Sequence, residues 1–359
     1  MTTPYVARMC LALLWLPLLE GQGVEAPVAT KVNSDVGSRI RLNVVVNDKS
    51  GKPVSDLQQQ DFQILDNKSP QPILSFEAVA GTHATTDPLE VILIIDAVNI
   101  PYTRVAYARD QLKRFLRQDN GVLAWPLIIG FLSDSGLELQ GAPSRDGNAL
   151  ATFLDQNQSA LRIINRSQGF WGKEDQMQLS VKAFEQLGQY AGRIPGRKIV
   201  ICLSPGWPML SGPNMELTKN EEEVIFNNIV ALSTELRESG ITLYDVDPLG
   251  TTDSGSFRTF YWESFIKGVR SAKDAQIGNL ALQVLAFQSG GRVLNSNNDV
   301  TAEIETCVRD ANTYYILSFA PEPADGPNDY HTIQVKIDRP KLKAQTLDGY
   351  YAQPPLKAQ

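Results

Sequence analysis

The feature that most constrains the fold is an uninterrupted apolar run, residues 91–95 (VILII), which ends in Asp96. A strand that is apolar at every position must be covered on both faces, as a central strand of a parallel sheet is. Amphipathic helices alternate with further apolar strands at residues 127–132, 198–204 and 241–246. Strand–helix units of this length need right-handed crossovers, so the sequence predicts an α/β fold with a doubly wound, mostly parallel sheet.

Strand patterns also flank this α/β region. Residues 38–48 alternate apolar and polar side chains, and two further strands are expected near Phe62 and Phe76. About three more strands follow the α/β region, the last near residues 347–352. Because neither set is large enough to be stable alone, we predict that they pair across the chain as one β-sandwich. The alternative is two separate β appendages.

These patterns divide the chain into five segments. They are a signal peptide (1–26), an N-terminal β segment (27–81), a polar linker (82–88), an inserted α/β domain (89–311) and a C-terminal β segment (312–359). Within the α/β domain, residues 276–288 are predicted to form one helix, which ends at a Gly-Gly pair.

The amino terminus has the pattern of an export signal. Arg8 precedes an uncharged apolar run at residues 9–19, which is shorter than the roughly 20 residues that a membrane span requires. Residues 24–26 offer a cleavage site; the alternative is a retained amino-terminal anchor. No later run approaches spanning length, so the sequence predicts an exported protein, periplasmic or extracellular, with no integral membrane span after cleavage.

Charge and cysteine content exclude several classes of function. The chain has 33 Lys and Arg against 40 Asp and Glu, a net charge of −7, and no basic block, which disfavours nucleic-acid binding. Cys202 lies in an apolar strand and Cys307 on a predicted helix, so buried thiols are expected, although an oxidising compartment would permit a disulfide. No Cys or His spacing is typical of a zinc site.

Short motifs occur in a fixed order along nearly the whole mature chain. They are residues 42–46 (LNVVV), 51–54 (GKPV), 61–64 (DFQI), 96–99 (DAVN), 196–198 (GRK), 203–206 (LSPG), 289–292 (SGGR), 313–318 (TYYILS) and 348–351 (DGYY). With these motifs the chain resembles the von Willebrand factor A (vWA) family, and more narrowly the VWFA-related proteins of acidobacterial type. The resemblance implies a sheet of strand order 3-2-1-4-5-6 and an exported adhesion or protein-interaction module.

The resemblance also implies a metal-ion-dependent adhesion site, which can be compared residue by residue. Such a site has Asp-x-Ser-x-Ser after the first strand, with a Thr and a second Asp from neighbouring loops. Here Asp96 matches, but Val98 and Ile100 occupy the serine positions and Pro205 the second acidic position. The loop expected to supply the Thr, residues 169–175, contains none.

The oxygen ligands that Mg²⁺ prefers are therefore largely missing. The sequence predicts a degenerate site, in which Asp96, Asn99 and Ser204 remain, with no bound metal or other cofactor. Asp96 is then expected to cap the backbone of its loop.

The carboxyl edge of the sheet is nonetheless the expected binding edge, because doubly wound sheets bind ligands where crossovers diverge. A long loop, residues 248–274, adds a group of aromatic side chains that includes Phe260 and Phe265. The alternative is that these rings fold down as a small helical cap. The candidates for partner binding are Asp96, Asn99, Ser204, Trp207, Asp247, Phe257, Tyr261 and Trp262.

Motifs for catalysis are absent. The sequence has no Gly-x-Ser-x-Gly elbow, no phosphate-binding loop, and only two histidines, His83 in the linker and His331 in the C-terminal β segment. We therefore predict a non-enzymatic module that binds an unidentified protein or cell-surface ligand. The alternative is a metal-dependent or carboxylate-based hydrolase that uses Asp96, Asp134 and Asp247, which would require these three carboxylates to come together.

Overall fold

Three β-sheets organise the computed structural model, which describes residues 39–81, 88–157, 170–208, 217–250, 261–295 and 297–354. The strands are β1 (Ile40–Asn47), β2 (Phe62–Asp66), β3 (Ser69–Gln71), β4 (Ser75–Ala80), β5 (Leu89–Asp96), β6 (Val122–Ser133), β7 (Gly136–Leu139), β8 (Ser144–Asp146), β9 (Arg197–Leu203), β10 (Ile241–Val246), β11 (Val293–Leu294), β12 (Thr313–Phe319), β13 (Asp329–Ile337), β14 (Lys343–Gln345) and β15 (Gly349–Ala352). The helices are α1 (Tyr102–Leu116), α2 (Gly147–Gln156), α3 (Phe170–Gly192), α4 (Lys219–Glu238), α5 (Leu282–Gln288) and α6 (Val300–Asn312). The signal segment predicted at residues 1–26 lies outside the described residues.

The central sheet has the strand order β11-β10-β9-β5-β6-β7, with β8 also paired to β6. Neighbours from β11 through β6 run parallel, and β7 and β8 are antiparallel to β6. All eight residues of β5 are buried, as its unbroken apolar sequence requires. The predicted α/β fold with a mostly parallel central sheet is confirmed.

Helices cover both faces of this sheet. Alternate side chains of β5 enter two different cores, because successive residues of a strand point to opposite faces. The first core contains residues of α1, α2 and α6, namely Leu112, Leu150 and Ile304. The second contains residues of α3, α4 and α5, namely Phe184, Ile229 and Leu285. Within the described ranges, no helix is both long and apolar enough to cross a membrane.

The two cysteines of these cores are free, buried thiols. Cys202 belongs to the core under α3, α4 and α5, whereas Cys307 belongs to the core on the opposite face of the sheet. Burial raises the pKa of both thiols well above its ordinary value, and neighbouring carboxylates raise it further. Both cysteines are therefore held as protonated side chains that pack as small apolar groups.

Two antiparallel sheets of four strands flank the central sheet, in the orders β14-β1-β12-β4 and β15-β13-β2-β3. Each sheet combines strands that precede the α/β region with strands that follow it. In the first sheet Leu42 lies opposite Leu317, and in the second Ile64 lies opposite Val335. Side chains of both sheets share one hydrophobic core. Strands from the two ends of the described chain thus complete each other's sheets.

A buried polar cluster joins three strands of the second flanking sheet. Nδ1 of His331 (β13) lies 2.9 Å from Oδ1 of Asp66 (β2), and the hydroxyl of Tyr350 (β15) donates to Oδ2 of Asp66 at 2.7 Å. Each of these three residues is at most 3% exposed. On the surface side, Nε2 of His331 lies 3.5 Å from Oδ2 of Asp329. Because Asp66 is shielded from water, its contacts with His331 and Tyr350 are both needed to offset the cost of its desolvation.

Two parts of the α/β region differ from the sequence-based expectations. The single helix predicted over residues 276–288 is wrong, because a 3₁₀ helix (Ile277–Leu280) and α5 are separated by Ala281, whose ψ of 141° is extended. The side chain of Asn279 is used in tertiary packing, since its Nδ2 donates to the carbonyl of Phe265 at 3.2 Å. Helix α2, which the sequence analysis did not anticipate, begins where Asp146 accepts a hydrogen bond from the backbone of Ala149.

Removing the hydroxyl of Tyr350 tests the importance of the buried cluster. Tyr350→Phe should lower the free energy of unfolding by about 2 kcal/mol, because a buried carboxylate loses a charge-assisted donor. Tyr107→Phe is the matched control, since that hydroxyl donates at the exposed surface to the carbonyl of Asn298 and water can replace it. The control should lose about 0.5 kcal/mol or less. Equal losses in urea denaturation would show that the cluster contributes nothing specific.

Candidate functional site

The candidate site lies at the carboxyl edge of the central sheet, where β5 and β9 end side by side. Parallel pairing places Ile95 beside Leu203, so that the next residues, Asp96 and Ser204, begin adjacent loops. Asp96 is 2% exposed and Ser204 is fully buried. The structure therefore brings together two of the residues that the sequence placed at this edge, and it encloses both of them.

The carboxylate of Asp96 accepts four hydrogen bonds from its own chain. The backbone N–H groups of Val98 and Asn99 donate to Oδ1 at 3.1 and 3.0 Å. The side-chain amide of Asn99 and the hydroxyl of Ser204 donate to Oδ2 at 2.8 and 2.7 Å. Each carboxylate oxygen thus has two donors, which is close to its full acceptor capacity. Asp96 caps its own loop and ties it to the end of β9.

Burial and hydrogen bonding have opposite effects on the protonation of Asp96. Desolvation raises the pKa of its carboxyl, while the hydrogen bonds from Asn99 and Ser204 lower it, and burial is the larger effect. An ion bound here would have to replace donors that already satisfy both oxygens. The arrangement is suited to fixing a loop rather than to presenting a ligand.

The Asp96 loop is also fastened to helix α3. The amide of Asn99 lies 3.0 Å from the hydroxyl of Ser180, which itself donates to the carbonyl of Gln176 at 2.8 Å. The side-chain amide of Gln176 also donates to the carbonyl of Val98, in the Asp96 loop, at 2.9 Å. Asn99, which stands at the wrong offset for a metal ligand, is thus placed to hold Asp96 and α3 together.

Trp207 points into the protein rather than across the sheet edge. Its residue is 3% exposed, and its ring meets that of Phe184 edge-on with a centroid distance of 4.8 Å. Gly206 makes the required turn with a φ of +89°, in the left-handed region that glycine adopts without strain. The amide of Gln283 donates to the carbonyl of Pro205 at 3.3 Å and closes this loop. The Trp207 side chain therefore stabilises the second core.

The remaining predicted carboxylates occupy separate turns. Oδ1 of Asp247 accepts from the backbone N–H of Leu249 at 2.8 Å and so caps the turn after β10. Asp134 is half-buried in the turn between β6 and β7. Among the described residues, no group of three or more His, Cys, Asp or Glu side chains is close enough to hold a metal ion. Asp96, Asp134 and Asp247 do not form the shared ligand set that the hydrolase hypothesis requires.

The structure adds a carboxyl group that sequence reasoning missed, Asp245 on β10. Asp245 is fully buried, and neither of its oxygens has a hydrogen-bond partner among the described residues. Burial raises its pKa well above the ordinary value, and the nearby carboxylates of Asp247 and Asp96 add to the effect. Burial therefore favours the protonated form of Asp245. The available signal was an acidic residue inside an otherwise apolar strand.

The aromatic loop is partly folded down. Phe265, in a 3₁₀ helix (Trp262–Phe265), is 7% exposed and packs on α5 through Val284, with Trp262 half-buried against the same cluster. Tyr261 is 40% exposed, and its ring centroid lies 5.2 Å from that of Phe265. Phe257 and Phe260 lie outside the described residues. Of these aromatic side chains, Phe265 is buried against α5 and Tyr261 is exposed.

Comparisons with known proteins leave the family open. No protein-family model and no curated protein sequence matches this chain. The solved structures to which it is similar include an aerotolerance-related membrane protein from Bacteroides fragilis, at 14% identity and a TM-score of 0.31, covering 62% of this chain and 98% of that one. Manganese-loaded TRAP protein from Plasmodium vivax aligns at 10% identity and a TM-score of 0.35, covering 79% and 100%. The pilus adhesin SpaC from Lactobacillus rhamnosus GG, in its open conformation, aligns at 10% identity and a TM-score of 0.36, covering 85% and 48%. At TM-scores this low, no conclusion about function follows from these likenesses.

Glu303 of α6 makes the stability of this edge depend on pH. Burial raises its pKa to about 7, with Asp247 and Asp299 contributing, against an ordinary value of 4.5. The stability that the protonated carboxyl provides is complete below pH 4.5 and is lost as the pH rises to about 7. Glu303→Gln should remove this loss, which is about 3 kcal/mol at most.

Urea denaturation across this pH range measures the effect. Glu305→Gln is the control, since Glu305 lies on the same helix but accepts a hydrogen bond from Gln118 at the exposed surface. The control should keep the wild-type pH dependence. If Glu303→Gln also keeps it, the assignment to Glu303 is wrong.

Proposed function

We propose that this chain is an exported binding module that engages a protein or cell-surface partner without a bound cation and without catalytic chemistry. In this proposal the α/β region, residues 89–311, is a vWA-like domain of the acidobacterial VWFA-related type. It is joined by a linker at 82–88 and inserted between β segments at 27–81 and 312–359, behind a signal peptide at 1–26. Export would place the mature protein in the periplasm or outside the cell.

Strand order supports the vWA-like part of the proposal. Numbered within the domain without the short β8, the order β7-β6-β5-β9-β10-β11 reads 3-2-1-4-5-6, with the third strand antiparallel. The two flanking sheets, which share one core, support a β-sandwich formed by the two ends of the chain. Binding at the carboxyl edge of a doubly wound sheet is consistent with this topology.

The observation that carries the proposal is that both carboxylate oxygens of Asp96 already accept hydrogen bonds from the protein itself. The two loop positions that would supply hydroxyl ligands are Val98 and Ile100, which are 4% and 2% exposed and belong to the two hydrophobic cores. A hard divalent cation requires several oxygen ligands, and these positions offer only apolar side chains. This supports a degenerate metal site whose loop is ordered by hydrogen bonds instead of by an ion.

The exposed aromatic side chains support a partner surface beside this edge. Tyr261 stands on the buried Phe265, which gives it a rigid base. Phe287 on α5 is 39% exposed, on the same helix as Val284 of that cluster. Tyrosine and other aromatic side chains commonly dominate binding energy at interfaces, because they bury a large area at a small entropic cost.

Retention of a partner from the envelope of the source organism tests the proposal. The mature protein, immobilised, should retain a discrete component, and an excess of EDTA should leave this retention unchanged because no cation takes part. Tyr261→Ala should weaken the binding at least about tenfold, the scale of an interface hot spot. Val122→Ala is the control, because Val122 is 71% exposed and lies elsewhere, at the start of β6.

Three results would contradict the proposal. Retention that EDTA abolishes would show a functional metal site. Equal binding by wild type, Tyr261→Ala and Val122→Ala would exclude the aromatic surface. Conversion of the retained component into a product would favour the hydrolase.

A further inference from the structure

A cavity lies at the amino end of the central sheet, opposite the candidate site. It has a volume of about 350 Å³ and is open to solvent on one side. One wall is the face of β1 that points away from the core of the flanking sheets, and it carries Arg41 and Asn43. The other wall is formed by the start of β9, by the turn that precedes it and by the carboxyl end of α4. We call it the amino-edge cleft.

The amino-edge cleft is strongly basic within an acidic protein. The net charge of the chain is −7, yet the residues that line the cleft include five arginines or lysines and one acidic residue. These are Arg39, Arg41, Arg197, Lys198 and Arg237, with Glu238 as the carboxylate. Because low-dielectric walls concentrate the field of such a group, the cleft attracts small anions.

Lys198 contributes charge rather than a free donor. It is 2% exposed, and its ammonium donates to the backbone carbonyls of Ile194, Gly196 and Ser239, the last two at 3.1 Å. Three donors of the ammonium are therefore used within the protein. Lys198 therefore forms the base of the cleft and does not itself donate to a ligand.

Two of these arginines, Arg197 and Arg237, each retain a donor with no partner among the described residues. Arg197 is 2% exposed; its Nη1 donates to the carbonyl of Asp310 at 3.3 Å and its guanidinium stacks 4.2 Å from the ring centroid of Tyr314. The Nε of Arg197 has no hydrogen-bond partner among the described residues, and the same holds for the Nε of Arg237, which binds Glu238 through Nη2 at 2.8 Å. A buried N–H without an acceptor is costly, so a ligand oxygen would relieve a penalty already present.

We propose that the amino-edge cleft is a binding site for a small oxyanion, a molecule that carries a phosphate or carboxylate group. Guanidinium groups match the paired oxygens of both anions, and the cavity lies within the size range of small-molecule sites. Arg41 on β1 and Arg39 just before it reach the ligand from one side, while Arg197 and Arg237 reach it from the α/β region. The bound anion therefore bridges the flanking sheet and the central sheet. This proposal does not depend on the proposed function at the carboxyl edge.

Calorimetric titration of the mature protein with inorganic phosphate and with succinate, at constant ionic strength in chloride, tests the site. We expect saturable binding of at least one of the two anions. Arg41→Gln and Arg237→Gln should each weaken it at least tenfold. Arg145→Gln, an exposed arginine on β8 of the far edge strands, is the matched control and should bind as the wild type does.

Thermal unfolding supplies a second readout that does not depend on heats of binding. A saturating anion should raise the Tm of wild type and of Arg145→Gln, and should leave that of Arg41→Gln nearly unchanged. Tighter binding of phosphate identifies a phosphoryl ligand, and tighter binding of succinate a carboxylate ligand. Absence of saturable binding in wild type would overturn the proposal, as would equal weakening in all three variants, which would indicate non-specific charge screening. Arg41 is exposed, so its variant keeps the test valid even if Arg237→Gln does not fold.

Discussion

The carboxylate of Asp96 is the interaction on which the carboxyl edge of this protein depends. It accepts from Val98, Asn99 and Ser204, and so joins the ends of β5 and β9. Both oxygens accept hydrogen bonds from within the chain, which offset part of the cost of burying Asp96. The loop after β9 can then turn at Gly206 and bury its tryptophan in the second core. Hydrogen bonds within the chain thus connect the loops at this edge.

The two ends of the central sheet have opposite electrostatic character. At the carboxyl end, Asp245 and Glu303 are buried acids whose pKa values are raised by burial, so the interior there holds neutral carboxyl groups at low pH. At the amino end, Arg197 and Lys198 are buried basic residues whose side chains donate to backbone carbonyls. Acids can avoid the cost of burial by taking up a proton, whereas an arginine cannot lose one. In our proposal, an anion bound at the amino edge would offset the cost of burying the arginine there.

Sequence periodicity predicted the α/β architecture because a buried parallel strand has an unmistakable apolar run, and it located Asp96 at the end of that run. It did not predict the break at Ala281, next to which the side chain of Asn279 donates to the carbonyl of Phe265, a contact between segments distant along the chain. Neither could it show that Asp245 has no hydrogen-bond partner among the described residues, since that depends on tertiary packing. Trp207 was expected at the sheet edge, but its inward direction follows from the backbone turn before it.

The most direct test of this account is calorimetric titration of the mature protein with Mg²⁺ and Mn²⁺, in parallel with Asp96→Ala. If the hydrogen bonds of Asp96 replace a cation, neither protein gives saturable heat. Saturable binding by wild type that is lost in Asp96→Ala would contradict the account, because it would show that the loop gives up its internal donors to hold an ion.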